Sequence, residues 1–270
     1  MPFLSSPIAG WLLFAVFFSV LPAASEAAEF LPHQAVYRVK LVSSQPGSGI
    51  TGVSGSMVYK FSDACDGWTA ETRTVLRFQY DRGRYTDSVW SFAGWEAKDG
   101  SRFRYRLNDV RDGQTDEEIR GEAVMKAKGG PIARFAAPPG VSMKLSKDIL
   151  FPTEHLRRLL EAAERGETFY SRPLFDGASM DNPYQVSAIL NKVSTAQGKA
   201  IADKLGLADT RVWLMRLAFF PLSGAQETPE FEVDVRYRED GVADFIRQDY
   251  GDIILEMTVE DVEVLPKAAC

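Results

Sequence analysis

Two cysteines and two histidines are the side chains of this sequence best suited to chemistry. The cysteines are Cys65 and Cys270, and the histidines are His33 and His155. The sequence has no G-x-S-x-G nucleophile elbow, and its cysteines lie too far apart for the CxxC motif of thiol–disulfide enzymes. It also lacks the ligand spacings of HExxH, CxxC and EF-hand sites. We therefore predict no catalytic residue, no metal site, no cofactor and no enzymatic activity.

An uncharged apolar segment near the start of the chain predicts export. Residues 8–21 (IAGWLLFAVFFSVL) have the length of a signal-peptide h-region and are too short to span a membrane. Small residues follow, including Ser25 and Ala27, so we predict a signal peptide over residues 1–27. An uncleaved anchor is the alternative. We expect a periplasmic protein with one domain over residues 28–270 and no transmembrane segment in the mature chain.

The charge of the chain limits its partners. The formal net charge is −6, and it becomes −5 without residues 1–27, whose single charged residue is Glu26. This mild acidity argues against nucleic acid, and against an anionic membrane surface, as the main partner.

In an oxidising compartment, Cys65 and Cys270 would most simply pair with each other. The bond would close a loop of about two hundred residues and would fix the C-terminus to the first part of the fold. Loop-closure entropy gives such a bond up to about 5 kcal/mol, with ~2–4 kcal/mol typical of measured disulfides. Two free, buried thiols are the alternative.

The dominant hydrophobic period is two, which is typical of half-buried antiparallel strands. The clearest alternating segments are 35–41, 68–80, 102–107 and 231–237, with weaker alternation over 53–61, 85–92, 117–127, 184–193, 211–219, 242–248 and 253–264. Asp-Gly pairs separate several of them and favour hairpins. About twelve to fourteen strands in sequential hairpins predict an all-β fold, a long antiparallel meander curled into an open barrel or β-spiral.

One amphipathic helix interrupts the strands. Residues 153–165 place apolar side chains at helical spacing, with Thr153 as the expected N-cap and Gly166 as the stop. We expect this helix to cover an opening of the barrel, and an interface for another protein is the alternative. Residues 129–140 are predicted to be a connection, and residues 195–210 a variable excursion. The strand aromatics are read first as core and second as the lining of an apolar cleft for a lipid or glycan.

Several short strings, taken in order, resemble the EipB-type cell-envelope integrity proteins of alphaproteobacteria. The strings are 64–69 (ACDGWT), 151–155 (FPTEH), 174–177 (LFDG), 229–232 (PEFE), 240–242 (DGV), 249–251 (DYG) and the Leu265-Pro266 pair before Cys270. The resemblance implies a periplasmic β-spiral in which a disulfide joins the two positions held here by Cys65 and Cys270. It implies a role in maintaining the envelope, with no established reaction. It also implies a periplasmic tetratricopeptide-repeat protein as a candidate partner.

Three functions are consistent with these observations. The leading hypothesis is a non-enzymatic, disulfide-locked periplasmic protein that maintains envelope integrity through protein interaction. The alternative is a carrier or sensor that binds a lipid or another apolar envelope molecule inside the curved sheet. The weakest is a hydrolase acting on envelope material, which would need a cleft of clustered polar groups that includes His155 or Asp176.

Overall fold

The fold is a long antiparallel meander, as the alternating segments predict. A computed structural model describes residues 29–222 and 227–270. Fourteen strands of this part of the chain form one sheet. The predicted signal peptide, residues 1–27, lies outside the described residues. No helix that the structure describes is long and apolar enough to cross a membrane.

The elements follow one another with short connections. The strands of the first half are β1 (His33–Ser44), β2 (Ile50–Asp63), β3 (Gly67–Tyr80), β4 (Tyr85–Ala97), β5 (Arg102–Arg111), β6 (Gln114–Val124), β7 (Ile132–Ala137) and β8 (Ser142–Lys144). The second half comprises α1 (Pro152–Glu164), β9 (Phe169–Leu174), β10 (Tyr184–Lys192), α2 (Thr195–Leu205), β11 (Val212–Pro221), β12 (Phe231–Arg238), β13 (Ala243–Asp249) and β14 (Ile253–Val264).

The order of the strands in the sheet differs from their order in the chain at one place. The spatial order runs from β8 down to β1, then from β14 down to β9. Every neighbouring pair is sequential except β1 with β14, where His33 lies opposite Val264. We call this β1–β14 pairing the seam. It joins the two halves of the meander into one sheet.

Tight turns set the hairpin registers. Between β5 and β6, Arg111 pairs with Gln114, so the loop consists of Asp112 and Gly113 alone. Both loop residues have positive φ, 48° and 79°, as a type I′ turn requires. The backbone twist of a type I′ turn matches the right-handed twist of the flanking strands. The Asp-Gly pair in the sequence predicts this turn correctly.

Helix α1 follows β8, one edge strand of the sheet, and packs near β9, the other edge strand. Leu150, just before the helix, forms a parallel bridge with Leu174 of the edge strand β9. The buried side chains of Leu159, Leu160 and Ala163 belong to the same core cluster as residues of β9–β12. The apolar stripe of α1 is therefore buried against the sheet of its own chain.

Four local predictions need correction. Residues 129–140 contain β7, whose Ala133 and Phe135 are buried, although flanking Gly and Pro residues suggested a connection. The alternating segments did not include β8 or β9, and β9 carries Pro173, which an edge strand tolerates. The excursion at 195–210 contains α2. The N-cap of α1 is Phe151 and not Thr153.

A candidate ligand-binding cavity

The curled sheet encloses a cavity of about 880 Å³. Strand alternation builds its wall, because every second residue of a strand points to the concave face. The apolar lining comes mainly from β1–β4 and β12–β14 and includes Val39, Met57, Leu76, Phe78, Trp90, Val233, Ile246, Leu255 and Met257. The volume falls in the range of small-molecule sites in proteins.

Strand β3 shows how the sheet leaves room for this cavity. Thr72, Thr74, Leu76 and Phe78 face inward but are only partly buried, whereas residues between them are exposed on the outer face. Inward residues of a filled small barrel would be fully buried. The sheet is too wide for its own side chains to fill its interior along this strand.

Three tyrosines line one part of the cavity. The hydroxyl of Tyr37 donates a hydrogen bond to the carbonyl oxygen of Ala243 at 2.7 Å. Burial raises the pKa of Tyr59, and it raises the pKa of Tyr237 to about 12, so both phenols stay protonated. Within residues 29–222 and 227–270, no protein group hydrogen-bonds to the hydroxyl of Tyr59 or Tyr237. These hydroxyls are available to a ligand.

Carboxylates are the charged groups of the lining. They belong to Asp109, Asp176 and Glu230. Glu230 accepts a hydrogen bond from the hydroxyl of Tyr184 at 3.1 Å, and Asp176 accepts one from the backbone N–H of Ala178 at 2.9 Å. Burial raises the pKa of Asp176 above its ordinary value. None of the Lys, Arg and His residues that the structure describes lines this cavity.

The carboxylate of Glu96 positions helix α1, which contributes one residue to the cavity lining. Glu96 lies on β4 and is 3% exposed. Its two oxygens accept the backbone N–H groups of Thr153 and Glu154 at 2.6 and 2.9 Å. Phe151 provides no side-chain cap, so Glu96 satisfies the first N–H groups of α1 from across the fold. One turn further, Leu156 of the same helix lines the cavity.

Both histidines are buried, and neither lines the cavity. His33 is 2% exposed, and its Nδ1 donates to the carbonyl oxygen of Leu31 at 2.7 Å. His155 is 4% exposed, packs edge-on against Tyr170, and has a pKa that burial lowers to about 4. Of the two residues considered for a hydrolase, only Asp176 reaches the cavity. Their positions do not bring a histidine and a carboxylate together in it.

The structure joins Cys65 to Cys270 by a disulfide bond. Cys65 lies in the turn between β2 and β3, where its backbone N–H donates to Asp63 at 2.9 Å. Cys270 follows β14, so the bond attaches the end of the chain beside the seam. The bond lies away from the cavity lining. Among the residues described, no three His, Cys, Asp or Glu side chains are placed to hold a metal ion.

A second, smaller cavity of about 450 Å³ lies beside the first turns of α1. Its lining includes Lys98, Arg157 and Arg158. Three of its cations have acidic partners, because Lys98 pairs with Asp63 and both arginines pair with Glu154. Lys147 and Arg172 also line it, and Arg172 donates to the carbonyl oxygen of Ser171 at 3.0 Å. Its volume is about half that of the large cavity, and Asp99, Asp148 and Glu154 lie among its cations. This cavity is therefore a weaker candidate than the large one.

Sequence reasoning identified the acidic residues of the large cavity only in part. Asp176 lies in the string 174–177 (LFDG) and Glu230 in the string 229–232 (PEFE), but neither string indicates a shared cavity. Asp109 lies in no motif. These three carboxylates reach one cavity only when the sheet curls.

Comparisons with known proteins agree with this architecture. The family model described as EipB-like matches residues 24–266. The "Cell envelope integrity protein EipB" of Brucella abortus (strain 2308) is 28% identical over 238 residues, which cover 87% of this chain and 84% of that protein.

A solved structure shares the fold. It is titled "Crystal Structure of Beta-barrel-like Protein of Domain of Unknown Function DUF1849 from Brucella abortus" and superposes with a TM-score of 0.80. It is 25% identical in sequence, and the match covers 88% of this chain and 99% of that chain. The resemblance noted in the short sequence strings is confirmed, and this chain belongs to the EipB-like family, as a homologue of a cell-envelope integrity protein.

Proposed function

We propose that this protein supports cell-envelope integrity by holding an apolar envelope molecule in its inner cavity, without catalysing a reaction. The observation that carries the proposal is the cavity of about 880 Å³ inside the curled sheet. Homology to a cell-envelope integrity protein supports the setting. The apolar segment within residues 1–27 supports export to the periplasm.

The chemistry of the wall favours binding over hydrolysis. The lining combines apolar side chains with hydroxyls that can orient a ligand, the usual composition of small-molecule sites. A hydrolase would need a base beside its nucleophile, and His155 is buried outside the cavity. An apolar molecule would remove from water the half-buried inner faces of Leu76 and Phe78, and this burial would stabilise the complex.

Native mass spectrometry tests this proposal. Protein purified from its own periplasm without detergent should carry a reproducible extra mass of lipid or glycolipid size. Thr74→Trp fills the cavity from the inner face of β3 and should abolish that mass. Val75→Trp places the same side chain on the exposed outer face and should retain it. A cell carrying only Thr74→Trp should become sensitive to detergent. Full resistance with an empty cavity would contradict the proposal.

A protein partner is the second candidate function, and an exposed apolar patch favours it. Phe169 and Ile189 lie opposite each other on β9 and β10 and are 59% and 52% exposed. Leu214 of β11 lies diagonally beside them and is 40% exposed. Contiguous apolar surface of this kind is typical of interaction sites. The partner we propose is a periplasmic tetratricopeptide-repeat protein.

Co-purification from periplasmic extract tests the second candidate. Ile189→Lys should reduce the yield of a tetratricopeptide-repeat protein captured with the tagged chain. Val264→Lys, at an exposed position on β14 outside this patch, is the matched control. Equal capture by both variants would exclude this patch as the binding surface.

A further inference from the structure

The charged side chains that line the large cavity are all acidic. Its lining holds the carboxylates of Asp109, Asp176 and Glu230, and no Lys, Arg or His of the described residues belongs to that lining. Asp176 and Glu230 both lie near Tyr184, because the hydroxyl of Tyr184 donates to Glu230 at 3.1 Å and its backbone pairs with Leu174, two residues before Asp176. These two acids therefore lie at one end of the cavity, with Glu230 exposed at its mouth.

Further acids lie near Asp109. It lies opposite Glu117 in the β5–β6 pair, and Asp116 precedes Glu117 in the chain. Burial, and then the charges of Asp109, Asp116 and Asp181, raise the pKa of Glu117. Arg111 is the cation that pairs with two of these acids, and it lies 3.6 Å from Asp109 and 3.0 Å from Asp116. Its side chain is 61% exposed, and it divides one positive charge between two carboxylates. The acidic end keeps an excess of negative charge.

A ligand that enters this end meets two carboxylates, Asp176 and Glu230, that accept hydrogen bonds from neutral donors but form no ion pair with a described residue. Charge buried beside an apolar wall is costly unless an opposite charge pairs with it. The apolar wall is a low-dielectric surface that focuses field lines, so the field of these carboxylates is stronger in the cleft than on an open surface. A cationic group would be attracted to Asp176 and Glu230, whereas an anionic group would be repelled by them.

The geometry points to a ligand that is an amphiphile with an ammonium head: its chain occupies the apolar interior, and its head pairs with Asp176 and Glu230. This inference rests on the proposed function, since it names the class of molecule held in the same cavity. Asp176 provides the inner contact and Glu230 the contact at the mouth. An amphiphile with a carboxylate head and the same chain is disfavoured.

Competition with a neutral dye tests the inference on the full mature chain after lipid removal. Nile red reports occupancy of the cavity, and dodecylamine, dodecanol and dodecanoate displace it as ammonium, neutral and anionic heads on one chain length. Below the micelle concentrations of the two ionic amphiphiles and the solubility limit of dodecanol, dodecylamine should bind roughly tenfold more tightly than dodecanol, and dodecanoate should bind most weakly. Asp176→Asn and Glu230→Gln should each reduce the preference for the amine and leave the affinity for dodecanol unchanged.

Glu71→Gln is the matched control, because it removes one carboxylate from the exposed outer face of β3. It should keep the full preference. If Asp176→Asn fails to fold, Glu230→Gln at the mouth decides the question. Equal affinity for the three heads, or tightest binding of dodecanoate, would overturn the ammonium inference while the proposed function stands. If Nile red and all three amphiphiles fail to bind, the proposed function itself is overturned.

Discussion

At the scale of single residues, Glu96 links the sheet to the helix. Its carboxylate accepts two N–H groups at the start of α1, and these donors favour the ionised form. Burial opposes them and raises the pKa of Glu96 to about 7. The ionised form of Glu96 therefore holds helix α1 in place, but its desolvation costs more free energy than the two hydrogen bonds return.

This cost predicts a pH dependence of folding. A carboxyl whose pKa is higher in the folded state binds more protons there, so the free energy of unfolding falls as pH rises from about 4.5 to about 7. The loss is roughly 3 kcal/mol at most, from 1.36 kcal/mol per pKa unit. Thermal melts between pH 5 and pH 8 should show this decline in the wild type and lose it in Glu96→Gln.

The exposed Glu71 provides the comparison for this experiment. Glu71→Gln should leave the decline intact, because its side chain lies in solvent on the outer face of β3. The same pH slope in Glu96→Gln and the wild type would show that Glu96 does not titrate in this range.

At the scale of elements, helix α1 packs against the curved sheet through a few fully buried side chains. Leu160 is 0% exposed in the cluster that joins the helix to β9–β12. Leu160→Ala should lower the free energy of unfolding by about 2–5 kcal/mol, because it removes buried methyl groups and leaves a cavity. Urea denaturation measures the change.

Leu214→Ala is the matched substitution at an exposed position on β11. It should cost less than about 1 kcal/mol, since the side chain is 40% exposed. Similar losses for the two variants would mean that α1 is not part of the cooperative core.

The sequence predicts these elements unevenly, for physical reasons. Strands with one solvated face, such as β5 and β12, alternate clearly and were located from that pattern. Strand β7 is short and flanked by Gly and Pro, so turn signals obscured it. Helix α2 has a Ser194 cap and a C-terminal Gly206 with φ of 65°, but only a weak apolar face. The cavity could not be located, because it depends on how far the sheet curls.

At the scale of the whole molecule, the disulfide holds the end of the chain beside the β2–β3 turn. Cys270→Ser should lower the free energy of unfolding by about 2–4 kcal/mol, because the unfolded chain regains the freedom of a long loop. Denaturation under oxidising conditions measures this loss, and faster proteolysis of the C-terminal segment should accompany it.

A reductant provides the internal control for the disulfide. It should bring the wild type to the stability of Cys270→Ser and leave the variant unchanged. The double variant with Cys65→Ser should match the single one. Equal stability of variant and wild type without reductant would contradict a stabilising bond.

The seam also sets the order in which the protein can complete its fold. Synthesis delivers β1 first and β14 last of the fourteen strands, yet the two are neighbours in the middle of the sheet. Until β14 arrives, β1 keeps one row of backbone groups unpaired, and such an edge invites association with other chains. A circular permutant could remove this delay. If its chain ran from β9 through β14 into β1 and ended at β8, each new strand would pair with the strand synthesised just before it.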